Sequence, residues 1–153
     1  MKNKIVKNLN DSWAFKKKSD SDWLKAEVPG CVHTDLLNNK KINDPFIGLN
    51  ETDLQWIANE NWIYKRNFTP DVDIFEMECV ILRFQGLDTY ASVFVNGNQV
   101  LQTDNMFHSW ETNIKNLLRK GENEVLIEFE SPIQKILPKM KHMDYELPAD
   151  NDQ

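Results

Sequence analysis

From residue 62 onward apolar side chains recur at every second position, the spacing that gathers them on one face of a β-strand. WIYKRNF (62–68) alternates Trp62, Tyr64 and Phe68 with Lys65 and Asn67. CVILRFQ (79–85) sets Val80, Leu82 and Phe84 on one face, and YASVFVNG (90–97) does the same with Ala91, Val93 and Val95. EVLIEFE (124–130) sets Val125, Ile127 and Phe129 against Glu124, Glu128 and Glu130. Asn96-Gly97 separates the run ending at Val95 from the run starting at Val100. Both residues tolerate positive φ, so the dipeptide predicts a tight hairpin. Short strands with no long amphipathic helix between them predict a mainly β chain, an antiparallel sandwich with a few short helices; a partly open barrel is the alternative.

Three short helical segments are expected: HTDLLNN (33–39) after Pro29-Gly30, a turn around NLLRK (116–120) stopped by Gly121, and SPIQKIL (131–137). In the last, Ser131 suits the N-cap, Pro132 the first helical position and Gln134 the third position of a capping box. Beyond Pro138 the sequence turns polar and aperiodic, so the domain is expected over residues 1–140 and a polar tail over 141–153. GLNETDLQWIANEN (48–61), preceded by DPF (44–46), reads as a loop longer than an ordinary connection, the kind that carries function.

A chain of 153 residues suffices for one core. Its 18 basic against 24 acidic residues give a net charge of −6, which disfavours nucleic acid and anionic lipid as partners. The basic runs Lys16, Lys17, Lys18 and Lys139, Lys141, His142 lack the aromatic interleaving of a base-stacking surface and read as solvated surface. No run approaches 18 apolar residues, and the opening MKNKIVKNLNDS carries no apolar segment, so neither a membrane span nor a signal peptide is visible and localisation is left open. Cys31 and Cys79 sit in apolar contexts without CxxC spacing and are expected as buried free thiols.

His33, His108 and His142 are scattered, so no metal site is expected, and no cofactor is implied by any nucleotide-binding or nucleophile-elbow motif. Glycoside hydrolysis requires two carboxyl groups at a defined separation. Glu60, beside Asn61 in the WIANENW segment, and Glu111, beside Trp110, are candidate acids near aromatics, and both read first as surface acids at strand ends. Of the five tryptophans, Trp13, Trp23, Trp62 and Trp110 are expected in the core or at an interface. Trp56, in the long loop, is the one expected to be exposed.

WLKAEVPGCVHTDLLNNKKINDPFIGLNETDLQWIANENWIYKRNF resembles the beginning of exo-acting β-mannosidases of glycoside hydrolase family 2. The segments VPG, VHTDLL, DPF, LNE and WIANENWIY come in that family's order. FQGLDTYASVFVNGNQV, TDNMFHSW, the GENEV turn and FESP follow in order as well, so the likeness runs from about Leu9 to Pro148.

The resemblance implies a jelly-roll, galactose-binding-domain-like antiparallel β-sandwich placed ahead of an immunoglobulin-like domain and a catalytic TIM barrel. It implies hydrolysis of terminal, non-reducing β-D-mannose residues by a retaining mechanism in the full-length enzyme. Both catalytic glutamates belong to the barrel, so no catalytic residue is expected in this chain. The sandwich would support the barrel and shape the pocket for a β-mannoside or manno-oligosaccharide. The family's Trp-Asp-Trp-Gly segment is absent here, which implies a domain short of its last strands, with open sheet edges that favour a homodimer. Asn50, Glu51 and Trp56 are the pocket-side residues that the resemblance carries over. Two other readings stand beside it: an independent carbohydrate-binding module, and a structural domain without sugar contact.

Overall fold

The computed structural model describes residues 4–141. Six strands form one antiparallel sheet and two form a second. The strands are β1 (Trp13–Lys17), β2 (Leu24–Ala26), β3 (Trp62–Phe68), β4 (Ile81–Phe84), β5 (Ala91–Val95), β6 (Asn98–Thr103), β7 (Trp110–Asn113) and β8 (Asn123–Phe129). The large sheet runs β2-β1-β3-β8-β5-β6, and β4 pairs with β7 in the small one. This is the mainly β architecture that the alternation predicts. The expected tail, residues 141–153, lies almost wholly outside the described residues.

Register explains the core. Phe15 stands opposite Tyr64, Tyr64 opposite Ile127, Ile127 opposite Val93 and Val93 opposite Leu101, one rung across five strands. Phe15 and Val93 are fully buried. Phe15 stacks on Tyr64 at 5.4 Å, and Tyr64 meets Phe129 edge-on at 5.8 Å. Leu82 of β4, with Leu87 and Ile114 from the flanking loops, joins the same buried cluster. Burying a side chain of Phe15's size is worth roughly 2–3 kcal/mol, so this rung anchors the sheet.

The Asn96-Gly97 hairpin forms between β5 and β6, with φ of 51° and 81° at its two residues. Asn96 also reaches across the sheet end, where Nδ2 donates to Asn123 Oδ1 at 2.8 Å. Asn123 is buried; its amide serves Arg119 and Gly121 carbonyls and the Arg119 N–H, which closes the turn before β8.

α1 (Val32–Asn38) occupies the segment expected at 33–39. Its start is crowded: a Cβ on Gly30 would lie 2.2 Å from the Glu27 carbonyl oxygen, so only glycine fits. The turn expected at 116–120 is a single 3₁₀ turn over Lys115–Leu117. A second 3₁₀ segment, Val72–Glu76, precedes β4.

Several expectations need correction. The 48–61 loop holds two one-turn helices, α2 (Asn50–Asp53) and α3 (Trp56–Asn59). The helix after Ser131, α4 (Pro132–Met140), continues through Pro138, which stands in its last turn. Ser131 caps it as expected by accepting from Gln134 N at 3.1 Å, but the capping box is not closed. Gln134 Nε2 donates to Asn59 O instead, and Ser131 N donates to Asn61 Oδ1. Both cysteines are exposed and free, not buried. Cys31 is the N-cap of α1 at the surface, and Cys79 lies on the link into β4, so their apolar neighbours point inward while they do not.

Candidate functional site

Strand polarity collects the long connections at one end of the large sheet. Lys17, Trp62, Phe129, Ala91 and Thr103 lie on one rung, at the end of β1, the start of β3, the end of β8, the start of β5 and the end of β6. The segments that leave this rung are 18–23, 44–61, 86–90, 104–109 and α4. Here the sandwich exposes its largest apolar side chains: Phe46 is 96% exposed, Leu49 80% and Phe107 86%. Ile47, Met106 and the α4 residues Ile133, Ile136 and Leu137 are exposed as well. Apolar side chains this exposed, on segments that all leave one end of the sheet, suit a surface that is covered.

Beside it lies a cleft of about 560 Å³ bordered by Lys17, Asp20, Asp22, Lys41, Trp56 and Trp62. Trp56 also borders a second depression with Lys40, Lys41 and Leu54. Trp62 is buried, and its Nε1 donates to Ile57 O at 3.0 Å, which fixes α3 over the start of β3. Trp56, one residue before Ile57, is thereby held outward: it is 40% exposed, with its ring 6.1 Å from that of Trp62. Lys17 Nζ stands 5.9 Å from the Trp56 ring centroid, 3.6 Å from Glu60 and 3.8 Å from Asp20.

The three residues singled out in the sequence are not equivalent. Trp56 lines the cleft. Asn50 is turned to a structural task, with Nδ2 donating to Asp44 O at 2.8 Å across the DPF segment. Glu51 is exposed on the first turn of α2, and its backbone carbonyl accepts from Gln55 Nε2 and Leu54 N. The two acids near aromatics are surface ion-pair partners, Glu60 with Lys17 and Glu111 with Arg83 at 3.1 Å. Of the other tryptophans, Trp13 is buried, Trp23 lies under Lys65 at 4.1 Å, and Trp110 donates to Asn105 O.

Sequence reasoning missed the most buried carboxylate among the described residues. Asp35, on α1, is 1% exposed. Its Oδ2 accepts from Tyr64 Oη and its Oδ1 from Glu27 N, each at 2.8 Å. Burial raises its pKa above the usual carboxylate value, against the lowering effect of those two hydrogen bonds. Burial, and then the Asp35 charge, hold the Tyr64 phenol far above its ordinary range. A raised carboxyl can mark a general acid, but Asp35 faces Tyr64 and the β2–α1 turn inside the fold, with no cleft to serve. Its task is to tie α1 to β3. No three His, Cys, Asp or Glu side chains converge on a metal position among the described residues, and no helix there is long and apolar enough to cross a membrane.

The comparisons with known proteins agree on kinship. Residues 13–153 match the family described as glycosyl hydrolase 2 galactose-binding domain-like. The β-mannosidase of Capra hircus is 37% identical over 126 residues, which span 82% of this chain and 14% of that protein. β-Mannosidase B of Thermothelomyces thermophilus is 37% identical over 132 residues, 84% of this chain and 15% of that protein. The crystal structure of β-D-mannosidase from Dictyoglomus thermophilum superposes with a TM-score of 0.86 at 41% identity, covering 91% of this chain and 17% of that one. An exo-chitosanase from Amycolatopsis orientalis, with a TM-score of 0.68 at 21% identity over 77% of this chain and 16% of that one, shares the fold. The chain thus spans about a sixth or less of the length of these relatives, and what it shares with them is a galactose-binding-like sandwich. By sequence and by fold, the chain belongs to the glycosyl hydrolase 2 galactose-binding domain-like family.

Proposed function

We propose that this domain is the non-catalytic sandwich of an exo-β-mannosidase. The whole enzyme hydrolyses terminal non-reducing β-D-mannose residues by a retaining mechanism, with both glutamates contributed from outside these 153 residues. The observation that carries this reading is the 41% identity with the Dictyoglomus thermophilum β-D-mannosidase across 91% of the chain. At that level the likeness goes beyond the fold, whereas likenesses near 20% identity support the fold alone.

In this reading residues 1–140 make up the sandwich, and its partners are an immunoglobulin-like domain and a TIM barrel. The exposure of Phe46, Leu49 and Phe107 on segments leaving one sheet end supports that docking, because covering them would remove apolar surface from water. Trp56, held outward on α3, is the side chain this reading assigns to a neighbouring pocket, with Asn50 and Glu51 on the α2 turn before it. The outer edge of β4 has no ladder partner among the described residues, and a homodimer through that edge belongs to the same reading.

The test is a hybrid in which this chain replaces the matched segment of the Dictyoglomus thermophilum enzyme. The hybrid is expected to hydrolyse an aryl β-mannoside, and the 153-residue chain alone is expected not to. Replacing Phe46, Leu49 and Phe107 by serine should abolish assembly and turnover of the hybrid. Hydrolysis by the chain alone, or a hybrid indifferent to the triple substitution, overturns the reading.

A further inference from the structure

We propose that Asn96-Gly97 is a deamidation site guarded by the fold: the intact sheet holds the Asn96 carboxamide away from the Gly97 nitrogen, and opening of this sheet end releases a cyclisation whose products cannot rebuild it. The hairpin lies at the end of the large sheet opposite the long connections, apart from the surface proposed for docking.

The sequence holds a single Asn-Gly pair, and it is this one. Glycine serves the turn through its φ of 81°, and it also leaves its own nitrogen without a side chain to shield it. Gly97 is exposed, and a Cβ added there would meet nothing within 4 Å, so water reaches the turn. The chemistry needs no other reactant. Gly97 N attacks Asn96 Cγ, the new N–Cγ bond forms as the Cγ–Nδ2 bond breaks, and Nδ2 leaves as ammonia with the proton that Gly97 N gives up. Water then adds to either carbonyl of the succinimide and opens it to aspartate or isoaspartate.

What the fold withholds is the electrophile. Asn96 N donates to Glu124 O and Asn96 Oδ1 accepts from Glu124 N, both at 3.0 Å, so the side chain carries the β5–β8 ladder one residue past Val95. Nδ2 donates to Leu117 O at 2.7 Å and to Asn123 Oδ1 at 2.8 Å. Attack comes perpendicular to the carboxamide plane. With Oδ1 and both Nδ2 hydrogens engaged, that plane turns only by giving up all three bonds, which is an opening of the sheet end.

Neither product restores the arrangement. An aspartate keeps an acceptor for Glu124 N but sets its second oxygen against the Leu117 carbonyl and Asn123 Oδ1, both acceptors. Asn123 cannot answer by turning its amide over, because its Nδ2 serves Arg119 O and Gly121 O and its Oδ1 accepts from Arg119 N. Isoaspartate adds a backbone carbon to a two-residue turn whose register sets Val95 opposite Asn98. A reversible opening thus becomes a one-way loss, paced by the time the hairpin spends open.

The experiment holds the 153-residue chain in mildly alkaline buffer, folded in one arm and in urea in the other, and follows the tryptic peptide 84–115 by mass spectrometry, with fragmentation to place the converted residue. Conversion at Asn96 should be at least about tenfold slower in the folded arm, where the rate is that of the open chain multiplied by the open fraction. Asn123→Ala, which removes an acceptor of the Asn96 amide, should convert faster under folding conditions than Gly30→Ala, which weakens a turn away from the hairpin, when the two are compared at equal folded fraction. After incubation in urea and dilution, the refolded chains should be depleted of the converted form, and Asn96→Asp should show the same refolding defect. The comparison of the two parental arms does not depend on either variant folding. Equal rates in the two arms, equal rates in the two variants, or refolded chains as converted as the starting mixture overturns the proposal.

Discussion

Tyr64 Oη donates to Asp35 Oδ2 at 2.8 Å, and this one contact joins the centre of the large sheet to α1, 29 residues away in sequence. Asp35 completes the link through Glu27 N. The VPGCVHTDLL segment thus owes its shape to a buried carboxylate that closes the β2–α1 turn against β3.

That carboxylate makes stability depend on pH with a definite sign. Burial is the largest influence and raises its pKa in the fold above the ordinary 3.8. Between the unfolded and folded values the native state holds more protons, so stability from this group declines as pH rises through that window and levels off above it. Asp35→Asn keeps an acceptor for Glu27 N and removes the titration; its stability should stay within about 1 kcal/mol of the parent at neutral pH, with this slope gone. Asp35→Ala strands an amide and a phenol and should cost about 2–4 kcal/mol. Urea unfolding of the three proteins across the acidic range separates them, and an Asn variant that keeps the slope would refute the assignment to Asp35.

Gly30 is the second fixed point of this turn. A methyl group there meets the Glu27 carbonyl oxygen at 2.2 Å, and backbone cannot yield as a flexible side-chain tip can. The same shift would pull Glu27 N away from Asp35. Gly30→Ala should therefore lower stability by about 2–3 kcal/mol, a fall in Tm of roughly 4–12 °C for a domain of this size. A calorimetric midpoint within a degree or so of the parent would show that the turn can relax.

Alternation made β3, β4, β5 and β8 legible, and Asn96-Gly97 the hairpin into β6, because period-two burial and positive φ are local signals; β7, four residues long, went unread. β1 and β2 are too short for a period to declare itself: WAFKK buries only Trp13 and Phe15. α2 and α3 have four residues each and no side-chain cap, so nothing local announces them. The site was half readable. Trp56 stood out by its place in a long connection, but the 19–22 wall reaches it only through the Lys17–Trp62 register, a pairing 45 positions apart that no window of sequence displays. Asp35 was missed for the same reason, since its partner lies on another element. The apolar flanks of the cysteines misled because they describe the neighbours, which do turn inward.

Asn123 concentrates four hydrogen bonds in one buried amide: to Arg119 O, to Gly121 O, from Arg119 N and from Asn96 Nδ2. It begins β8, the strand between β3 and β5. Asn123→Ala leaves the turn before β8 without its brace and several polar groups unpaired, at a cost of about 2–4 kcal/mol. Asn123→Asp supplies the acceptor but no donor for the two carbonyls, so it should recover only part of the loss. Chemical denaturation ranks the three, and equal stability of the Ala and Asp variants would deny the hub role.

Ser131 couples two helices with a single hydroxyl. Its Oγ accepts from Gln134 N as the cap of α4 and donates to Ala58 O of α3 at 2.6 Å. It is 2% exposed, so a methyl group in its place leaves both partners unsatisfied away from water. The cap alone is worth about 1 kcal/mol and the stranded carbonyl about as much again, so Ser131→Ala should cost about 2 kcal/mol. The loss should be local before it is global: α3 carries Trp56, and loosening it should speed hydrogen exchange at residues 57–60 and 133–135 while the β3–β8 ladder keeps its protection. Ser131→Thr preserves the hydroxyl and should restore the coupling if its extra methyl fits. If exchange in α3 stays at the parental rate in Ser131→Ala, α3 is held by Trp62 and Ile57 alone, and the hydroxyl merely caps α4.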